Sequence, residues 1–165
     1  MSFYDNLFAK YQFGFRTNHR TTDSLFILKT LITKYLFKKK NKIYACFVDL
    51  RIAFDTVWHS GFQYKLMKNN VGSKFFYIIQ DIYDICQSAV KISNRHSEYF
   101  NVEIGVKQGD SLIPTLFNYY INDIHDIFDG SCDPLQLDST YISSISFAGD
   151  LIILSLSYRI TKCFK

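Results

Sequence analysis

An α+β domain, with one antiparallel-rich sheet carrying helices on one face, is what three features of the sequence predict. A helical run over residues 22–37, an apolar strand over 43–49 ending in a carboxylate, and two terminal strands around Ala148-Gly149 are spread along the chain. With 165 residues, 48% of them hydrophobic, the chain is long enough for one domain with a core and lacks the composition of a disordered tail.

From Thr22 onward, Leu25, Leu28, Leu31, Ile32, Tyr35 and Leu36 recur at helical spacing, with Thr22 or Asp23 as the cap. Asn41-Lys42 breaks that pattern, and the run Ile43 to Asp49 reads as a buried strand. Two further helices are expected near Ser60 to Asn69 and Ser73 to Ile85. Ser88 to Ser93 and Tyr99 to Val106 read as paired strands around the polar turn Asn94-Arg95-His96. One long helix is expected from about Ser111 to Phe128, its first turn tolerating Pro114. The segments YISSISF and DLIILS flank Ala148-Gly149 as a hairpin with a tight glycine turn.

The net charge of +4 hides a division. Residues 1–80 hold 13 Lys or Arg against 4 Asp or Glu, whereas residues 81–165 hold 6 against 11. A basic half suits a polyanion and an acidic half suits a divalent metal, although a solvated helix face also explains local runs. Lys38, Lys39 and Lys40 follow a helix, where cations complement the macrodipole without any ligand. Apolar stretches stop short of the roughly 18 residues a membrane span requires, and Asp5 and Asn6 interrupt any secretory signal. Cys46, Cys86, Cys132 and Cys163 show no clustering, which excludes a zinc finger and a disulfide-dense scaffold. The expectation is a soluble, intracellular chain with reduced thiols, its compartment within the cell left open.

Three segments carry chemistry. In FVDLRIAFDTV, Asp49 stands at the end of an apolar strand, where it can reach a metal or merely cap a turn. In GVKQGDSLIPTLFNYYIND, Gly105 and Gly109 bracket Gln108 ahead of a helix; Gly109 lets backbone approach a base or sugar, or the segment is only a loop. In SISFAGDLIILS, Asp150 sits at a hairpin tip, a position that plain turn formers also occupy.

Together, in this order and spacing, the segments resemble the reverse transcriptases of non-LTR, LINE-like retrotransposons. QFGFRTNHRTTDSLFIL is similar to that family's GFR segment, and FVDLRIAFDTVW to its F-x-D-x-x-K-A-F-D motif. GVKQGDSLIPTLFNYYIND resembles G-V-x-Q-G-x-x-L-S-P-x-L-F-x-x-Y-I-N-D, and SFAGDLIILS resembles the F-A-D-D hairpin. The likeness runs from about residue 11 to 156 and implies a palm-like antiparallel sheet over 41–157 with a fingers segment over 11–40. The rest of the fingers and the thumb would lie outside residues 1–165.

The resemblance also implies roles. Asp49 matches a metal-binding carboxylate, with the Leu50 carbonyl as an extra ligand, and Asp150 matches the second Asp of F-A-D-D. Phe54 matches the aromatic that screens the sugar 2′ position; Gln108 and Gly109 match the loop lining nucleotide and template base. Arg16 and Arg20 are the implied nucleic-acid contacts, with a fold-stabilising bond equally open for Arg16. The implied cofactor is Mg²⁺ or Mn²⁺, and the implied partners are an RNA template, a DNA primer and deoxynucleotide triphosphates, with no membrane. Two metal ions serve in-line attack of a primer 3′-OH on an α-phosphate, and their preference for hard oxygen explains the carboxylates.

The sequence departs from the pattern where it matters most. Gly149 stands where the family has the first Asp of F-A-D-D, which removes one ligand and one charge. Asp150 is expected to point to the opposite face from position 149, so it does not simply substitute. Ile52 replaces the usual basic residue before A-F-D, and Ile113 replaces the serine of L-S-P. Three readings follow: a polymerase domain impaired in catalysis, a non-catalytic palm-fold nucleic-acid-binding protein, and a decayed retroelement product. Binding to an RNA–DNA hybrid should weaken steeply, by about 10³-fold or more, between about 50 and 200 mM salt if several Lys and Arg contact phosphates. Fluorescence anisotropy titrations across that range check this, and no binding at low salt eliminates the binding-protein reading.

Overall fold

Helix α1 (Thr21–Ile32) begins one residue before its predicted start because the acid acts from inside the helix. Arg20 is the cap residue, and its backbone N–H donates to Asp23 Oδ2 at 2.8 Å. The computed structural model describes residues 8–39, 41–107, 109, 111–129 and 131–158. The chain divides into two units, Met1–Arg51 with Ser111–Lys165, and Ile52–Asp110.

In the first unit, α1 runs on as a π-helical segment, Thr33–Lys38. Leu31 and Tyr35 face the core as expected, whereas Leu25 is exposed, so the buried stripe is rotated toward Ile27 and Leu28. The Tyr35 hydroxyl accepts the Gln136 N–H at 2.8 Å, and Lys39 Nζ lies 4.7 Å from the centre of the same ring. Strand β1 (Tyr44–Asp49) forms where predicted but is not buried throughout. It is the outer strand of a three-stranded antiparallel sheet, and only the face bearing Tyr44, Cys46 and Val48 is packed. Phe47, on the other face, is 73% exposed; with Phe26 and Phe37 it forms part of the uncovered apolar surface of this unit.

The acidic half supplies the rest of the unit. Helix α4 (Ile113–Ile121) carries Pro114 in its first turn as expected. The single long helix predicted to Phe128 is instead two, because the chain breaks at Asn122-Asp123 before α5 (Ile124–Asp129). Asn122 Oδ1 accepts the Ala9 N–H at 2.6 Å from far along the chain, and Asp123 O accepts the Asp126 N–H at 3.2 Å in the turn that leads into α5. A short hairpin of β6 (Leu135–Leu137) and β7 (Thr140–Ile142) precedes the predicted one and was not legible in the hydrophobic pattern. The predicted hairpin, β8 (Ser144–Phe147) and β9 (Asp150–Ser155), turns at Ala148-Gly149.

Strand β9 lies between β1 and β8. Its pairing with β1 runs from Tyr44 opposite Ser155 to Asp49 opposite Asp150. Helices serve both faces of this sheet, not one. Ile145 and Leu154 pack with Leu31 and Tyr35 of the α1 segment, while Leu151 and Ile153 pack with Phe128 of α5. The second face is polar at β8, where His125 of α5 joins Ser144 and Ser146 through Nδ1 at 2.7 Å and Nε2 at 2.8 Å.

In the second unit, α2 (His59–Lys68) and α3 (Ser73–Asp84) lie close to their predicted spans, burying Phe62, Leu66, Ile79 and Tyr83. The expected strand pair is realised as two smaller ones. Strand β2 (Gln87–Ser88) pairs with β5 (Phe100–Asn101), and β3 (Lys91–Ile92) with β4 (Arg95–His96). The tight turn falls at Ser93-Asn94, with Ser93 at φ +52°, so Arg95 and His96 belong to a strand. Cys46 and Cys86 are free thiols, but Cys132 is disulfide-bonded, which corrects the expectation of reduced cysteines; spacing does not report which cysteines a fold brings together. Among the described residues no helix is long and apolar enough to cross a membrane.

Burial lowers the His125 pKa below its ordinary value of 6.5, outweighing Asp129 and Asp126, which raise it. The unfolded chain therefore binds this proton more readily than the folded one. Its stabilising effect is complete above pH 6.5 and is lost as pH falls below that value toward the lowered folded pKa. Urea unfolding at about pH 7.5 and 5.5 should show lower stability at the lower pH, and His125→Gln should remove that share of the slope.

Candidate active site

The carboxylates of Asp49 and Asp150 stand at the open end of the sheet, on adjacent strands and directly opposite each other. In an antiparallel pair, opposite residues have Cβ atoms about 4.5–5.5 Å apart and share one face. Asp150 is therefore on the face of Asp49, a placement set by the register of β9 on β1. Both residues are exposed.

The turn that sets this pairing is held from both sides. Leu50 N–H donates to Gly149 O at 3.0 Å, tying the turn to the end of β1. The left-handed backbone falls on Ala148, at φ +54°, rather than on the glycine beside it. On the other side, the backbone of Gly14 lies against Ala148: a Cβ added at Gly14 would stand 2.2 Å from Ala148 N. The segment carrying Gly14 is itself paired with β8, through Phe13 N–H to Ser146 O and Ser146 N–H to Tyr11 O, both 2.9 Å.

Under that segment lies a closed ring of side-chain amides. Gln12 Nε2 donates to Asn118 Oδ1 at 3.2 Å, Asn118 Nδ2 donates to Gly14 O, and Gly14 N–H donates to Gln12 Oε1 at 3.1 Å. Gln12 and Asn118 are 1% and 0% exposed, so each amide is satisfied without water. Sequence reasoning missed all three residues. The available signal was Asn118 among Leu116 and Phe117 in an apolar run, a polar residue at a core position.

The other candidates are placed as follows. Arg16 Nη1 donates to Ala9 O and Gln12 O, each at 3.0 Å, bonds that stabilise the fold. Arg20 caps α1 and is exposed. Phe54 belongs to the second unit, where its carbonyl accepts the Val106 N–H at 2.9 Å. Gly105 sits there at φ +88°, with Asp55 O only 3.0 Å from where a Cβ would be, and its carbonyl accepts from His59 Nε2 at 2.6 Å. Gly109 adopts φ +101° with open space around it, so its need for glycine is conformational. Gln108 lies outside the described residues. Ile52 adopts φ +55°, an uncommon state for a β-branched residue.

Two hard carboxylate oxygens side by side, with a backbone carbonyl one residue beyond Asp49, are donors that suit Mg²⁺ or Mn²⁺ rather than a softer metal. Among the described residues, no cluster of three or more His, Cys, Asp or Glu side chains forms a metal cage. Among the described residues the carboxylates at this end of the sheet are thus a pair, with Gly149 beside them in the turn.

Comparison with known proteins adds independent findings. Residues 1–163 match the family described as reverse transcriptase (RNA-dependent DNA polymerase). The chain is 32% identical over 139 residues to the RNA-directed DNA polymerase from mobile element jockey of Drosophila funebris, covering 83% of this chain and 15% of that protein. It is 34% identical over 116 residues to the probable RNA-directed DNA polymerase from transposon X-element of Drosophila melanogaster, covering 70% of this chain and 12% of that protein. The chain thus spans under a sixth of either relative. Among solved structures, apo telomerase from Candida tropicalis, truncated from the C-terminal domain, is similar with a TM-score of 0.64. That match has 14% identity and covers 88% of this chain and 30% of that one, a likeness of fold.

Like charges directly opposite each other on paired strands are destabilising. With divalent cations removed by EDTA, Asp150→Asn should raise the unfolding free energy by about 0.5 kcal/mol. Added Mg²⁺ should narrow that difference, and chemical denaturation of both chains in the two buffers measures it.

Proposed function

The chain belongs to the reverse transcriptase family, and from that premise we propose that it is the palm of a retrotransposon RNA-directed DNA polymerase whose catalysis is impaired at one ligand. The observation that carries this reading is the register of β1 on β9. It sets Asp49 and Asp150 side by side and leaves the adjoining turn position, Gly149, without a side chain.

Asp49 and Asp150 would hold a divalent cation, with the Leu50 carbonyl close in sequence as a further oxygen donor. When bound, that ion supplies Lewis-acid stabilisation of charge on the reacting phosphate and of the attacking 3′ oxygen. The protein's own contribution is rigidity: two antiparallel strands and a turn bonded to Leu50 N–H hold the carboxylates without reorganisation. Phe54, Gln108 and Gly109 are the residues proposed to meet the incoming nucleotide, and the basic N-terminal half the template and primer. Nucleic acid is the proposed partner, through phosphates that Lys and Arg neutralise.

Loss of a principal carboxylate from such a site costs several kcal/mol of transition-state stabilisation, about three orders of magnitude in rate. Primer extension on an RNA template, first with Mg²⁺ and then with Mn²⁺, tests this. Gly149→Asp should extend the primer at least about 10³-fold faster than the natural chain, and adding Asp49→Ala should abolish the gain. Equal rates for the natural chain and Gly149→Asp would remove the impairment. Silence from every folded variant would remove the polymerase reading for this chain.

A further inference from the structure

Gln12, Gly14 and Asn118 are buried polar or backbone features remote in sequence from the carboxylates, yet they converge on the β8–β9 turn that precedes Asp150. The amide ring fixes the Gly14 carbonyl and N–H at once, so the Gly14 backbone has one position relative to Asn118 of α4. The Gly14 backbone in turn touches Ala148, where even a methyl group would stand 2.2 Å from the Ala148 nitrogen. Ala148 is the residue forced to positive φ, a conformation alanine does not favour by itself, so something external must hold it. The next residue, Gly149, presents its carbonyl to Leu50 N–H, and the residue after that is Asp150.

We infer that Gln12, Gly14 and Asn118 form a positioning clamp that sets the Ala148-Gly149 turn and, through it, the placement of Asp150 beside Asp49. These are positioning residues: none of them reaches the carboxylates, and they act through the backbone of the turn. Their relevance to cation binding rests on the reading of Asp49 and Asp150 proposed above, but the setting of the turn does not.

The ring predicts a specific pattern of coupling. Opening it at any one bond releases the other two, so removing a second member should add little. A role limited to general core stability predicts instead that the whole sheet loosens together.

Backbone amide exchange by NMR on the full chain separates the two. Leu50 N–H reports the turn through its bond to Gly149 O, and Leu154 N–H, bonded to Ser143 O at 2.7 Å, reports the sheet away from it. Gly14→Ala should speed Leu50 exchange about tenfold or more while leaving Leu154 within about twofold. Gln12→Ala, Asn118→Ala and the double variant should each give nearly the same acceleration at Leu50. Unchanged Leu50 protection in a folded variant, equal acceleration at Leu50 and Leu154, or additive effects of the two single changes would each overturn the clamp. If Gly14→Ala does not fold, Asn118→Ala decides by the same two amides. Mn²⁺ binding followed by electron paramagnetic resonance should weaken about tenfold in Gly14→Ala. A natural chain that binds Mn²⁺ no better than Asp49→Asn would defeat the cation reading, while the exchange data would still decide the clamp.

Discussion

The antiparallel register of β1 on β9 is the constraint on which the first unit depends. It joins residues about a hundred positions apart, Asp49 to Asp150 at one end and Tyr44 to Ser155 at the other. Closing so long a loop is costly in entropy, and the apolar contacts the sheet makes on both faces help to offset it. Because side chains alternate along a strand, a slip of one residue would move Leu151 and Ile153 off Phe128 and at the same time part the two carboxylates. The core and the candidate site are therefore specified by one pairing.

That pairing is supported by polar interactions as well as by burial. His125 spans Ser144 and Ser146 beneath β8, and the Gln12–Asn118–Gly14 ring lies where the N-terminal segment meets the hairpin. Buried polar groups without partners would be destabilising, so each of these must be met within one arrangement. Such groups discriminate between packings that apolar residues alone would tolerate. An exposed carboxylate pair gains its rigidity from this buried layer, since neither Asp49 nor Asp150 has burial to hold it.

Gly149 has two consequences that act in opposite directions. A third carboxylate near Asp49 and Asp150 would add charge repulsion in the absence of a cation, and glycine avoids it. The same absence lowers the number of hard oxygen donors available to a cation. Glycine thus spares the turn a like charge beside Asp49 and Asp150, and under the function proposed above it also leaves a bound cation one carboxylate fewer.

The sequence by itself determined the α+β class, the presence of helices near 22–37, 60–69 and 73–85, strand β1 and the terminal hairpin. Each follows from a local rule: hydrophobic spacing, a breaker, or a turn dipeptide. It also made Asp49, Asp150 and the departure at Gly149 legible as candidates, because those residues sit in contiguous motifs. Tertiary structure alone decided that α4 and α5 are two helices, since Asn122 is drawn to the Ala9 N–H from across the unit. It alone decided that β1 is half exposed, that helices occupy both faces of the sheet, and that Asp150 shares a face with Asp49. Local pattern reports which residues prefer to be buried and how the backbone prefers to bend. Which polar groups meet, and on which face a residue beside a turn emerges, depends on partners far away in the chain.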